Sequence, residues 1–585
     1  MTQILFRLPL IFICVIGVSI ITTCKTPEPD IKEDEKKPMF VSPVAITRPA
    51  PSVPVTTAPP VERQQISTPI PITQEEQHIH TKVPRITQTS FPPIPQGGNL
   101  NVAAPIWFSD LDPHKEASPS FAAWGPGLAY SRILKFQTGE NIKLPSLSTE
   151  CDLCEEWHME DPSTFVFQIQ GDTKWQPSPE TKEQKVTAYD VEFSLNRQKQ
   201  DISVNSHIIH MIKSIKAESN ERLKVILTHP DADLFIALAN GKTKIISKDV
   251  FSTRSADLSN GPIIGSSPWR AEYRPDDETV ILTKWDYQKI TPYINSLKVM
   301  HIPDHQARKS AYMVKLIDIY QIEIEDLEEF SESQILNHPD PGVGLGIAFN
   351  TQTHPFDDIS LRKAVMLAIN PTVIIEQGWN SKAFFSLGYP VASQMSLTNP
   401  DKLKKYFNIP DSARNILSKE HPKDQVNITI TSSDFGEEYL ESLEIISSQL
   451  KSVGINTNFR MLDRRQYSLE AWKKGDYTML VGPVLPQNSL NGYLLSTMHS
   501  SGPWNTTHGS DLELDQLIEA QVIEYDREIR DDLIQDIETH ILEKGYRFMP
   551  ATRKSIWSWG EDVGGFFPNF SGNEYGHWEK MWIKP

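Results

Sequence analysis

Catalytic signatures are missing from this chain. It has no G-x-S-x-G turn, no H-E-x-x-H helix and no lysine-bearing phosphate loop, so hydrolase, metalloprotease and nucleotide chemistry find no local motif. No run of Lys and Arg is interleaved with aromatics. With 57 basic and 75 acidic residues the net charge is −18, and such a surface repels phosphate backbones, which argues against nucleic acid as a partner. After the first two dozen residues no apolar run reaches the ~18 residues of a membrane-crossing helix. Cysteine is scarce, four in 585 residues.

What is present begins with a leader. Arg7 precedes the apolar run Leu8–Ile21, a length that fits the core of a signal peptide and falls short of a membrane span. The run ends in Ile21-Thr22-Thr23-Cys24, which resembles a bacterial lipobox with Ile at −3 and Thr at −1. Residues 1–24 are therefore expected to be a signal peptide and Cys24 the lipidated residue; plain secretion is the other reading. Residues 25–96 hold 15 of the 44 prolines and no Trp or Tyr. They cannot bury enough apolar surface to offset their ordering entropy, and read as a disordered, extended tether.

With Cys14 in the leader and Cys24 at its end, the exported body keeps only Cys151 and Cys154. In an oxidising compartment two thiols so close tend to pair, so a disulfide is expected. Free thiols, or a metal held with His158, are the other readings. No second ligand pair of matching spacing accompanies that set, and His207 with His210 is too small a set to specify a metal. No metal and no cofactor is expected.

From Gly97 onward the pattern alternates between strands and helices. Asn99–Ala103, Ser163–Gln170, Leu223–Leu227, Thr279–Thr283, Val426–Thr431 and Ile455–Met461 read as strands. Thr187 is placed to cap a helix with Asp190 three residues on. Ser360–Ile369 carries an apolar face, Glu437–Val453 ends at Gly454, and Leu512–Leu542 reads as strongly helical. The Gly342–Gly346 run reads as a flexible crossing. Such alternation indicates an α/β architecture with at least two sheet-bearing lobes.

Several motifs then fall in a familiar order. They are Leu111-Asp112-Pro113-His114, the Trp157–Gln168 strand, Lys185–Leu195, Gly265-Ser266-Ser267-Pro268-Trp269-Arg270, and Ala348–Asn350 through Pro355-Phe356-Asp357-Asp358 to Asn370. Together they resemble the family 5 extracytoplasmic solute-binding proteins, the dipeptide-, oligopeptide- and nickel-binding type that serves ABC transporters. The resemblance implies a bilobed periplasmic-binding-protein fold, type II, in its large variant with an extra small subdomain. Its boundaries imply a discontinuous first lobe (97–145, 263–347, 550–585), a small subdomain (146–262) and a second lobe (348–549). It further implies a monomeric, non-enzymatic lipoprotein on the periplasmic or outer face of the membrane. That protein would capture a small-molecule or peptide ligand for ABC permease subunits.

Peptide-binding members place an Asp in a "G-W-x-x-D" stretch to meet the peptide's amino group. The matching stretch here, Val481–Asn488, has neither Trp nor Asp. A buried ammonium without a carboxylate is costly, so Gln487 and Asn488 suit a neutral ligand. Trp107, Phe108, Trp124, Trp379, Tyr389, Trp504 and Asn505 are candidates for the ligand wall, the aromatics because they stack on rings and cations; each serves equally well as core or turn. Asp190, Asp357, Asp358 and Arg362 read as caps and ion pairs, and Asp112 with His114 as a turn. The other functional class is a tethered surface binder without transport, an adhesin, sensor partner or peptide-holding chaperone, which the long tether would suit.

Overall fold

A computed structural model describes residues 94–584, apart from 143–145, 183, 287–289, 331–334, 386–399, 422–425, 485–488, 506 and 570–573. The leader, Cys24, the proline-rich stretch, Tyr389, Gln487 and Asn488 lie outside the described residues. In chain order the strands begin with β1 (Asn99–Ala104), β2 (Leu134–Phe136), β3 (Thr149–Cys151), β4 (Cys154–Asp161), β5 (Thr164–Ile169) and β6 (Ile212–Ala217). Next come β7 (Arg222–Leu227), β8 (Trp269–Arg274), β9 (Thr279–Lys284), β10 (Ser296–His301), β11 (Ile319–Ile322) and β12 (Ile335–Phe349). The last relevant ones are β13 (Ala383–Phe384), β14 (Val426–Ser433), β15 (Ile455–Leu462), β16 (Met479–Pro483) and β17 (Arg547–Trp559).

One sheet runs through both halves in the order β15-β14-β16-β12-β17-β11-β1-β10-β9-β8, with β13 also on β17. Continuity depends on β12 and β17, which pair antiparallel along most of their length. At one end Ile335 faces Ser558 and β17 carries β11, with Ile319 opposite Trp559 and Ile322 opposite Ile556. At the other end Ala348 faces Arg547 and β12 carries β16, with Leu345 opposite Pro483 and Phe349 opposite Met479. The register slips between Pro339 and Gly344. The glycine run read as a flexible crossing lies within β12, where Gly344 and Leu345 pair with Thr552 and Ala551 and Gly346 with Gly482. Close packing is the reason for glycine: a Cβ on Gly344 would lie 2.6 Å from the Ala551 carbonyl, and one on Gly346 2.7 Å from Val484.

The three largest apolar cores among the described residues divide between this frame and a second sheet. The first packs Leu100, Val102, Trp269, Val280, Leu297 and Trp578 on the β1-side strands. The second packs Phe349, Leu361, Val365, Ile428, Ile446 and Val481 around β12, β14 and β16. The third belongs to the separate antiparallel sheet β4-β5-β7-β6, where Phe165, Phe167, Leu223 and Val225 meet Val191 and Leu195 of the helix Ala188–Gln198. That helix starts where its local sequence specifies, since Asp190 accepts the Thr187 N–H at 2.9 Å and the Thr187 hydroxyl at 2.8 Å.

Cys151 and Cys154 form a disulfide, with Cα atoms 5.0 Å apart, at the turn from β3 to β4. Because the closed loop is so short, its reduction is expected to lower stability by only about 2 kcal/mol. Urea unfolding with and without reductant measures this; a loss of the whole transition would contradict it.

The helical stretch Leu512–Leu542 forms as two helices, Leu512–Val522 and Arg527–Lys544. Asp526 starts the second, accepting the N–H groups of Glu528 (3.0 Å) and Ile529 (3.2 Å). Among the described residues no helix is long and apolar enough to cross a membrane.

Candidate functional site

Strand direction locates the crevice. In β11 the Ile322 end, and in β16 the Pro483 end, pair nearest the middle of the β12–β17 ribbon. β1 runs parallel to β11, and β14 parallel to β16. The carboxyl ends of strands from both halves thus converge on the ribbon's centre, the place where open α/β sheets bind ligands.

On the first side, β1 ends at Ala104 and Pro105 removes the next donor. Ser118 caps the short helix Pro119–Ala122, accepting the Phe121 N–H at 3.3 Å. That turn delivers Trp124, half-buried, onto Trp557 of β17 with ring centroids 5.4 Å apart and planes at 17°. Trp578 closes the edge of Trp124 at 5.1 Å and 77°. Beside this pair lies a cavity of about 230 Å3 lined by Ala104, Ile106, Trp124, Ile319, Gln321 and Trp557.

The other candidates are placed apart from it. Trp107 stacks between Phe108 (4.7 Å) and His301 (5.2 Å), and Phe108 is buried against Phe121 and Tyr273. Trp379 sits in the core around β12 and β14, 4% exposed, donating its indole N–H to Ser442 at 3.1 Å. Trp504 is 38% exposed and Asn505 closes its own turn, donating to the Gly509 carbonyl at 2.7 Å.

On the second side, a small cavity of about 40 Å3 lies behind Gly482 and Pro483, lined also by Tyr467, Trp472 and Arg547. The Arg547 guanidinium stands 5.4 Å from the Trp472 ring. Burial drives the Tyr467 phenol far above its usual range, with Tyr477 adding to the shift. Sequence reasoning passed over Tyr467, Arg547 and Trp557. The aromatic alternation Trp557-Ser558-Trp559 was the signal for the last of these.

Buried ion pairs brace the surroundings. Arg197 grips Asp112 with two nitrogens and donates to His114 Nδ1 at 2.8 Å, while His114 Nε2 meets the Lys244 carbonyl at 3.0 Å. Arg132 pairs with Glu574 at 3.0 Å inside the protein. Arg362 donates to the Lys544 carbonyl at 3.0 Å and Asp358 accepts the Ser360 N–H at 2.7 Å, both scaffold roles. Among the described residues Asp511, Glu513 and His540 come within 4.8 Å of one another. Asp511 is committed there, one oxygen capping the helix at Glu513 and Leu514 and the other accepting from His540 (2.6 Å) and Tyr546 (3.0 Å).

Residues 149–506 match the family described as bacterial extracellular solute-binding proteins, family 5 Middle. The chain belongs to this family. The dipeptide-binding protein of Escherichia coli (strain K12) is 24% identical over 270 residues, 42% of this chain and 49% of that protein. Heme-binding protein A of Haemophilus influenzae is 22% identical over 315 residues, 50% of this chain and 56% of that protein. The chain thus spans about half the length of the curated relatives it matches. The unliganded open form of MppA, a periplasmic murein tripeptide-binding protein, superposes with a TM-score of 0.72 at 16% identity, covering 84% of this chain and 98% of that one. The fold is the bilobed α/β periplasmic-binding-protein fold.

Proposed function

We propose that this family 5 member is an extracytoplasmic solute-binding lipoprotein. It encloses a small organic ligand, peptide-like in the first instance, between two lobes and hands it to the permease of an ABC importer. It performs no catalysis. In this reading the first lobe is 97–145, 263–347 and 550–585, the small subdomain 146–262 and the second lobe 348–549. Cys24 carries the lipid, and residues 25–96 act as the tether. The body works as a monomer.

The observation that carries the reading is the convergence of strand carboxyl ends on a two-stranded crossing. Two rigid cores joined by β12 and β17 can close by small rotations about the register slip between Pro339 and Gly344. A ligand touching both walls favours the closed state by its differential affinity. The peptide-binding names among the relatives support the ligand class.

Native mass spectrometry of the purified full chain, with and without dialysis, tests the proposal. A co-purifying molecule of defined mass is expected. Returned at about 100 times its Kd, it should add about 2.7 kcal/mol of stability. No bound species, and no thermal shift across peptide, sugar and metal–chelate panels, would refute capture.

A further inference from the structure

The crevice wall on the first side has a chemistry of its own. Its cavity, about 230 Å3, is floored by the Trp124–Trp557 stack and walled by Ala104, Ile106, Ile317 and Ile319. Three of the polar side chains that reach it, Gln321, Tyr320 and Arg308, are already engaged. Gln321 donates to Ser555 at 3.1 Å and the Tyr320 hydroxyl to Asp326 at 3.3 Å. Arg308, the single charged residue among the described lining, donates to the carbonyls of Ile302 (2.9 Å) and Pro303 (2.7 Å) and lies 3.9 Å from Glu323. Among the described residues no carboxylate lines the space.

We propose that this cavity is a specificity pocket for one bulky, uncharged apolar group of the captured solute, a planar aromatic ring best of all. The assignment rests on the solute-capture reading above and names its substrate class. A ring entering the pocket gains contact with two indoles and sheds water from both. An ammonium entering it gives up its hydration and finds Arg308 rather than a counter-ion. A small polar group fills too little of the volume to displace its water. The rim reinforces the choice, since Ile106 of the lining is apolar and 66% exposed.

The test uses the full chain and three doubly blocked amino acids, the N-acetyl amides of phenylalanine, alanine and lysine, titrated by ligand-observed NMR. Blocking both ends removes recognition of amino or carboxyl termini. The phenylalanine probe should bind at least about tenfold more tightly than the alanine probe, the scale of discrimination in an apolar pocket. The lysine probe should bind no better than alanine. Trp124→Ala should abolish the phenylalanine preference. Because Trp124 packs on two other indoles, Ile106→Asp provides a variant at an exposed position. It should weaken the phenylalanine probe and raise lysine binding above alanine.

Equal binding of the three probes by the wild type, or an unchanged phenylalanine preference in Ile106→Asp, overturns the pocket. If a solute of defined mass still co-purifies in either case, capture stands and the pocket alone is wrong. If no solute co-purifies while the ring preference holds and responds to Ile106→Asp, the pocket stands and capture is what fails.

Discussion

Replacing Asp233 by alanine is expected to destabilise the folded body by about 3–5 kcal/mol, read from urea unfolding. Asp233 lies just after β7, only 1% exposed at its side chain, and meets Arg530 at 2.6 Å. The pair is one strut of a buried network. Asn491 donates its backbone N–H to Asp233 (3.0 Å) and its amide to Asp231 (2.6 Å). Gln521 and Arg530 both donate to the Asn491 side-chain oxygen, at 2.9 Å each. Tyr525 adds its hydroxyl, accepting from the Asp231 N–H (2.9 Å) and donating to the Pro162 carbonyl (2.8 Å).

Removing Asp233 leaves a guanidinium in a site that has excluded most water, which is why the single variant should cost more than a surface pair. The double variant Asp233→Leu with Arg530→Met should recover much of the loss, because it removes both charges and leaves apolar groups of similar bulk. The network joins the four-stranded unit to the helices Leu512–Val522 and Arg527–Lys544. Amide hydrogen exchange should therefore rise on both sides of the contact together in Asp233→Ala. A loss below about 1 kcal/mol, or faster exchange on one side alone, would show that this contact does not tie the two parts together.

That network illustrates which parts of the molecule local sequence could announce. The strand Thr164–Ile169, the Thr187–Asp190 cap and the helix Ile359–Ala368 are set by alternation, capping chemistry and 3.6-residue spacing, all readable within a dozen residues. The partners of Asp112, Arg132 and Trp124 are not. Arg197 lies 85 residues from Asp112 and Glu574 lies 442 from Arg132, and nothing at either end specifies the other. Trp379 shows the converse limit. An indole near a cleft-like segment and an indole in a core look the same in sequence, and only the fold puts Ser442 opposite its N–H. The break at 523–526 was hidden because Asp526 occurs inside a run of good helix formers. The family motifs carried the bilobed fold because they mark turns, helix starts and strands of that frame. Gly265 is one: a Cβ there would fall 1.7 Å from the Ala129 carbonyl.

Acid should unfold this body well before most carboxylates protonate. His114 and His577 are fully buried histidines whose surroundings disfavour the imidazolium. Burial, then the neighbouring Arg197, lower His114 to about 4, against the Lys244 carbonyl and Asp112, which favour protonation. Burial lowers His577 to about 3, with Lys580 assisting and Glu574 opposing. Geometry gives the same answer for His114, because its Nδ1 accepts a hydrogen bond from Arg197 and a proton there would face a guanidinium. In the unfolded chain both rings take a proton below about 6.5, while the folded protein refuses it. The unfolded state therefore binds more protons between pH 6.5 and about 4, and stability falls as pH drops through that window. The His114 shift alone is worth roughly 3 kcal/mol, and His577 adds a comparable amount. Asp231 and Asp318, raised by burial, work in the opposite sense in the same region, because the folded state takes up their protons first. For that reason the decisive comparison is with His114→Gln, whose amide can donate to the Lys244 carbonyl and accept from Arg197 without titrating. Thermal midpoints of the wild type should fall steeply from pH 7 to 4.5, and the variant should show a shallower fall. Equal slopes would mean that His114 keeps its proton affinity in the folded state and that the buried Asp112–Arg197 site tolerates a second cation.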